Sequence, residues 1–305
     1  MKHAALIVAT QLAIPICFAQ DCNDLPVFHA NGGVLGGAIR SGKQCLTVDL
    51  KQPRQFDIHA MRFLSLAGAP LLTIGCENSS TRQCGEGADI DLQNHRIEAE
   101  VDDMKGIQGG DSRNLRIHDG TVVVPGRGLH NIGIDLTNLQ NPGSTYARQP
   151  CDKIGEACNS GEKLSAITKL VPYRETNNIV ERVDVHAGAI GVRMVGIGNT
   201  IRNSVIEVDG RNGIGIFGPS PTIENNTIIM KGSGKATPDD GALTLWDGNG
   251  AVIRNNRFIF RNQFAKAPPA IRLIDSTNAH LEGNTFEGFD RTVEQTGQSS
   301  YREVK

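Results

Sequence analysis

The sequence has one Trp, three Tyr and only 5% aromatic residues. So few rings leave any core to be filled by small aliphatic side chains, which suit tightly repeated packing more than one large irregular centre. A charge excess is also missing: 31 basic against 33 acidic residues give a formal charge of −2. That balance argues against a dedicated nucleic-acid binder, whose contact surface is strongly basic. No apolar run after the first 19 residues is long enough to span a bilayer, so integral membrane association is not expected. Also missing are an HExxH metal motif, a Walker loop and a serine nucleophile elbow. What is abundant is glycine, 35 of 305 residues, beside a 39% hydrophobic fraction. This is the composition of one or two globular domains with many tight turns.

Residues 1–19 begin with a short positive region, continue as an apolar run and end in Cys17-Phe18-Ala19 before Gln20. That order reads as an export signal, and the run is interrupted by Gln11 and Pro15. The expected location is therefore periplasmic or extracellular, with a membrane anchor as the alternative. Past Cys17 stand Cys22, Cys45, Cys76, Cys84, Cys151 and Cys158. An even set in an exported chain reads as disulfides, for which six cysteines allow 15 pairings. Short intervals favour Cys76 with Cys84 and Cys151 with Cys158, leaving Cys22 for Cys45. A zinc reading is weaker because no His stands beside any pair.

The second half repeats. IRNSVIEV at 201–208, IENNTIIM at 223–230, IRNNRFIF at 253–260 and LEGNTFEG at 281–288 each open on an aliphatic residue and pass through a polar, mostly Asn-bearing stretch. Degraded copies start at Leu92, Ile117 and Val180, and successive starts from Leu92 to Leu281 are 25, 63, 21, 22, 30 and 28 residues apart. Intervals of this size indicate a solenoid with one long insertion. Between the copies lie GIDL, GVRM, GIGI, ALTL and AIRL, whose alternation places Ile134, Val192, Ile214, Leu243 and Ile271 in one inward column. Leu136, Met194, Ile216, Leu245 and Leu273 form the next inward column, and the intervening Asp135, Arg193, Gly215, Thr244 and Arg272 are expected to face solvent. Apolar stretches of four to six residues are too short for helical repeats, so stacked parallel strands are expected. Asn226, Asn256 and Asn284 share one phase, which predicts an internal amide ladder rather than a catalytic array.

On these repeats the chain resembles the right-handed parallel β-helix proteins of the pectate-lyase-like class, over about residues 88–290. The resemblance implies an all-β, single-stranded solenoid. Residues 20–87 would form an N-terminal cap and first coils, 88–290 the β-helix with a lateral insertion at 138–176, and 291–305 a polar C-terminal tail. Its functional implication is coarse, because this scaffold carries lyases, hydrolases, epimerases, adhesins and non-enzymatic proteins. The leading expectation is an exported polysaccharide-processing enzyme, with a polyuronate lyase as its first form. The alternatives are a non-catalytic carbohydrate-binding or cell-envelope protein, a glycoside hydrolase and a C5-epimerase. The expected partner is a carbohydrate polymer, acidic in the lyase reading, and the expected state is a monomer.

Candidate catalytic residues follow from each chemistry. Elimination from a uronic acid requires neutralisation of the carboxylate and removal of the C5 proton, for which Arg193 or Arg272 would serve the first step and Lys231 or His186 the second. Hydrolysis requires two carboxyl groups, and Asp239-Asp240 directly before Gly241 resembles the Asp-Asp pair of polygalacturonase-type hydrolases. The rest of that pattern departs: Asp209-Gly210-Arg211-Asn212-Gly213 stands where the family has Asn-Thr-Asp, and Ala267-Pro268-Pro269-Ala270 where it has Gly-His-Gly. Calcium is the one candidate cofactor, with Asp239, Asp240 and Asp247 as oxygen ligands. Trp246 is a candidate sugar-stacking residue, and His130 a marker of the same face.

Overall fold

A computed structural model describes residues 22–30, 33–39, 42–51, 69–74, 86–99, 102, 104–109, 112–126, 131–137, 173–232, 241–262 and 266–304. Among the described residues every regular element is a strand. The strands stack in parallel register as three ladders, each coil contributing one strand or part-strand to each.

The first ladder includes Asp89–Asp91, the opening residues of Arg116–Val124 and of Ile179–Ala187, then Thr200–Arg202, Thr222–Glu224, Val252–Arg254 and Ala279–Glu282. The second takes Arg96–Glu98, the later residues of the two long strands, then Val205–Val208, Thr227–Met230, Arg257–Phe260 and Thr285–Glu287. The third runs through Ala69–Ile74, Met104–Gly109, Ile132–Leu136, Ile190–Val195, Asn212–Phe217, Gly241–Trp246, Ile271–Ile274 and Val293–Thr296. The architecture is a parallel β-helix. At the N-terminal end Val27–Ala30 folds back antiparallel on Gly33–Ile39, and Cys22 is bonded to Cys45. After residue 291 the stack continues, with Val293–Thr296 and Tyr301–Val304 each adding a rung.

One continuous core fills the solenoid. Ile134, Val192, Ile214, Leu243 and Ile271 are consecutive partners in the third ladder and fully buried, so the inward column read from alternation holds. Immediately before it runs a column of minimal side chains, Gly106, Gly133, Gly191 and Gly213, followed by Ala242 and Ala270. The small size is required by close approach. A Cβ at Gly133 would lie 2.3 Å from Val185 Cγ1, one at Gly191 2.3 Å from Ile206 Cγ2, and one at Gly213 2.4 Å from Ile228 Cγ2. The branched residues of the second ladder thus fill the space that side chains in this column would need.

The corner from the first to the second ladder is turned by residues with positive φ, among them Asn203, Asn225, Asn255 and Gly283. Asn tolerates this conformation better than most residues. The next residue points inward and forms the expected ladder. Asn256 Oδ1 accepts from both the backbone N–H and the side-chain amide of Asn226 at 3.0 Å, and Asn284 Oδ1 does the same for Asn256. Their amides also donate to Ile201, Ile223 and Ile253 carbonyls at 2.8–2.9 Å. The buried turn groups are thereby paired without water.

The column expected to face solvent does not. Asp135 and Thr244 are fully buried and Arg272 is 8% exposed, although all three point away from the core. Strand alternation decides which side of the sheet a residue takes, but not whether that side is covered.

Candidate functional site

Arg193 and Asp135 are Cα partners on adjacent third-ladder rungs. Arg193 donates to Asp135 through Nη2 at 2.7 Å and Nε at 3.2 Å, Lys105 Nζ approaches the same carboxylate at 2.8 Å, and Thr137 Oγ1 donates to it at 2.6 Å. Burial opposes ionisation of Asp135, but Arg193 and Lys105 override it and hold the carboxyl far below its ordinary range. Further along the same column Arg272 Nη1 pairs with Glu294 Oε1 at 2.6 Å. Gly215 and Thr244 separate the two arginines, so at about 4.8 Å per rung they stand roughly 14 Å apart. Both guanidinium groups are matched by internal carboxylates.

His186 and Lys231 come together elsewhere, on the outer side of the second ladder near the corner that leads to the third. His186 and Glu207 are register partners, and Lys231 directly follows the strand Thr227–Met230. Lys231 Nζ lies 2.5 Å from Glu207 Oε1 and 3.5 Å from Asp209 Oδ1, while His186 Nε2 lies 3.6 and 3.7 Å from the same two oxygens. Those latter distances are too long for hydrogen bonds, and Nε2 is buried without a partner. The Glu207 hydrogen bond raises the Lys231 pKa above its ordinary value. Glu207 shifts the other way, burial opposing its ionisation and Lys231 prevailing. At neutral pH the pair is therefore an ammonium and a carboxylate.

Asp247 turns the corner after Gly241–Trp246 with φ +53° and accepts a 2.7 Å hydrogen bond from the Tyr173 hydroxyl. Asp239 and Asp240, and likewise His130, lie outside the described residues. Trp246 is stacked on Phe217 with ring centroids 4.1 Å apart and is 3% exposed. A sugar ring therefore has no access to it in this conformation. The structure thus brings His186 to Lys231 and keeps Arg193 and Arg272 apart from them and from each other.

A further charged group went unread in the sequence. Glu181, 1% exposed, receives Arg116 Nε at 2.7 Å, Arg202 Nε at 2.6 Å and Arg182 Nη1 at 2.9 Å. Burial again opposes ionisation, yet the arginines bring its pKa to about 2. The signal was present in the repeats: the residue after the inward aliphatic alternates as Glu181, Arg202, Glu224, Arg254 and Glu282. These five occupy consecutive rungs of the first ladder, and Arg254 Nε pairs with Glu224 Oε2 at 2.7 Å. The alternation places unlike charges on neighbouring rungs, which favours the parallel register.

The described architecture is a scaffold of a kind that polysaccharide-acting enzymes and lectins use, and a scaffold by itself assigns no activity. No curated protein matches the chain. Residues 173–301 match the family described as a right handed beta helix region, which gives the hand of the coil.

Proposed function

We propose that the chain is an exported carbohydrate-polymer-binding β-helix protein whose contact surface is the corner formed by His186, Glu207, Asp209 and Lys231. The observation that carries this reading is the part-exposed convergence of these four side chains around a His186 Nε2 that lacks a hydrogen-bond partner. Carboxylates accept and an ammonium donates, which matches the hydroxyl groups of a sugar chain. The Cys22–Cys45 bond supports export, since disulfides persist in oxidising compartments.

The charge state of the group favours binding over catalysis. Lys231 is held protonated and is a poor base for C5 proton removal, and Glu207 is held ionised and is a poor general acid for glycosidic cleavage. Arg193 and Arg272 already neutralise Asp135 and Glu294. The lyase reading retains one specific support, the imidazole of His186, whose Nε2 has no hydrogen-bond partner although it is withdrawn from solvent in this conformation.

A panel of acidic and neutral polysaccharides, screened by affinity electrophoresis and assayed for 235 nm absorbance and new reducing ends, tests the proposal. Retardation by a polymer that remains intact, weakened about tenfold in His186→Ala and Lys231→Ala, is the expected result. Unsaturated products lost in His186→Ala would replace binding with lyase chemistry, and no retardation by any polymer would reject both readings.

A further inference from the structure

The first-to-second corner of the early coils holds a group that the carbohydrate reading does not use. His118 is 5% exposed and shares its ladder register with Asp91 on the preceding rung. Its Nε2 lies 2.9 Å from Asp89 Oδ1, while its Nδ1 faces Asp119 Oδ2 at 2.5 Å and Asp91 Oδ1 at 3.9 Å. One ligand atom from each of Asp91, His118 and Asp119 lies within 4.8 Å of the others.

The charges in this group are unevenly matched. Arg182 binds Asp119 through Nε at 2.6 Å and Nη2 at 2.8 Å, and Arg116 lies 3.5 Å from Asp89. Asp91, 8% exposed, accepts the Gln93 backbone N–H at 2.9 Å, and among the described residues no Lys or Arg pairs with it. A carboxylate so deeply placed is costly unless a cation compensates it. His118 Nδ1 meets Asp119 Oδ2 at 2.5 Å and Arg182 Nη2 at 3.5 Å, so an ion bound at Nδ1 would replace the proton shared with Asp119 while the ring keeps its other proton on Nε2 toward Asp89.

We propose that Asp91, His118 and Asp119 form a binding site for a divalent transition ion of the zinc class, with Asp89 orienting the imidazole from the far side. A carboxylate on the second ring nitrogen is the usual support of a metal-bound histidine. One imidazole with two carboxylates suits zinc, whereas calcium takes six or more oxygens. Asp119 Oδ2 has a second lone pair for the ion while Arg182 holds the first. The partial exposure of Asp119, whose side chain is 33% accessible, provides the way in. Ligands from consecutive rungs make the ion a staple between early coils, at the corner where the later coils use the Asn226, Asn256 and Asn284 amides.

The test uses untagged full-length protein, stripped by chelator and titrated calorimetrically with zinc chloride and, separately, calcium chloride. One equivalent of zinc bound at least tenfold more tightly than calcium, and lost in Asp91→Asn and His118→Ala chains that keep the β-sheet circular dichroism, is the expected result. No zinc binding by the wild type, tighter calcium binding, or unchanged zinc binding in either folded variant would overturn the proposal. If both variants fail to fold, zinc-edge anomalous diffraction from the wild type decides. A peak bonded to His118 Nδ1 upholds the site, and a map without one rejects it.

Discussion

Asp135 and Arg193 lie side by side on adjacent rungs, 2.7 Å apart, with the carboxylate completely withdrawn from water. The same carboxylate holds Lys105 at 2.8 Å, so removing it leaves two cations on a covered face without their common anion. Asp135→Ala is expected to cost about 3–5 kcal/mol, the range for breaking a buried ion pair. Urea denaturation of the variant measures this, and a loss below about 1 kcal/mol would show that the pair contributes little.

The arginine-bound carboxylates predict an acid-labile corner. Glu181 falls from an ordinary 4.5 to about 2 on folding, and Asp119 from 3.8 to about 2. A depressed folded-state pKa contributes stability that is complete above the unfolded value and is lost as pH falls toward the folded one. Urea midpoints should therefore decline between about pH 4.5 and pH 2, and Glu181→Gln should flatten that decline while lowering stability at pH 7. An equally steep decline in the variant would assign the acid sensitivity to other groups.

Two glycines of one strand should differ in their response to alanine. A methyl at Gly213 would meet Ile228 Cγ2 at 2.4 Å and the Ala242 carbonyl at 2.6 Å, whereas one at Gly215 meets only Trp246, at 3.5 Å. Gly213→Ala is expected to destabilise by about 1–3 kcal/mol through overpacking, and Gly215→Ala to be near neutral. Thermal midpoints of the two variants, compared directly, check the difference.

The Cys22–Cys45 bond closes a loop with a sequence separation of 23. Loop-closure entropy assigns it about 3 kcal/mol, to be read as the stability lost in Cys45→Ser. Non-reducing peptide mapping of exported protein should recover the Cys22–Cys45 peptide, and recovery of both as free thiols would reject the bond. The pairings expected for Cys76 with Cys84 and Cys151 with Cys158 lie outside the described residues, and the same map tests them.

Repeat spacing and strand alternation were sufficient to define the solenoid. Alternation in GIDL, GVRM, GIGI, ALTL and AIRL placed Ile134 through Ile271 inward, and the shared phase of Asn226, Asn256 and Asn284 announced the amide ladder. Both are legible because a stacked coil meets mainly its neighbours, so a repeat in sequence becomes a contact in space. What the outward residues meet became visible in the folded chain alone. In the sequence Arg193 and Arg272 belong to a mixed column expected to face solvent and to meet a substrate carboxylate, but they pair with Asp135 and Glu294, and the latter belongs to a strand with no repeat signature. His186 and Lys231 are 45 positions apart and meet because Val205–Val208 brings Glu207 between their rungs. Asp91 and His118 likewise become neighbours through register. The period of a strand fixes the side of the sheet, while the partner on that side depends on the register of stacking and on the chain that covers it.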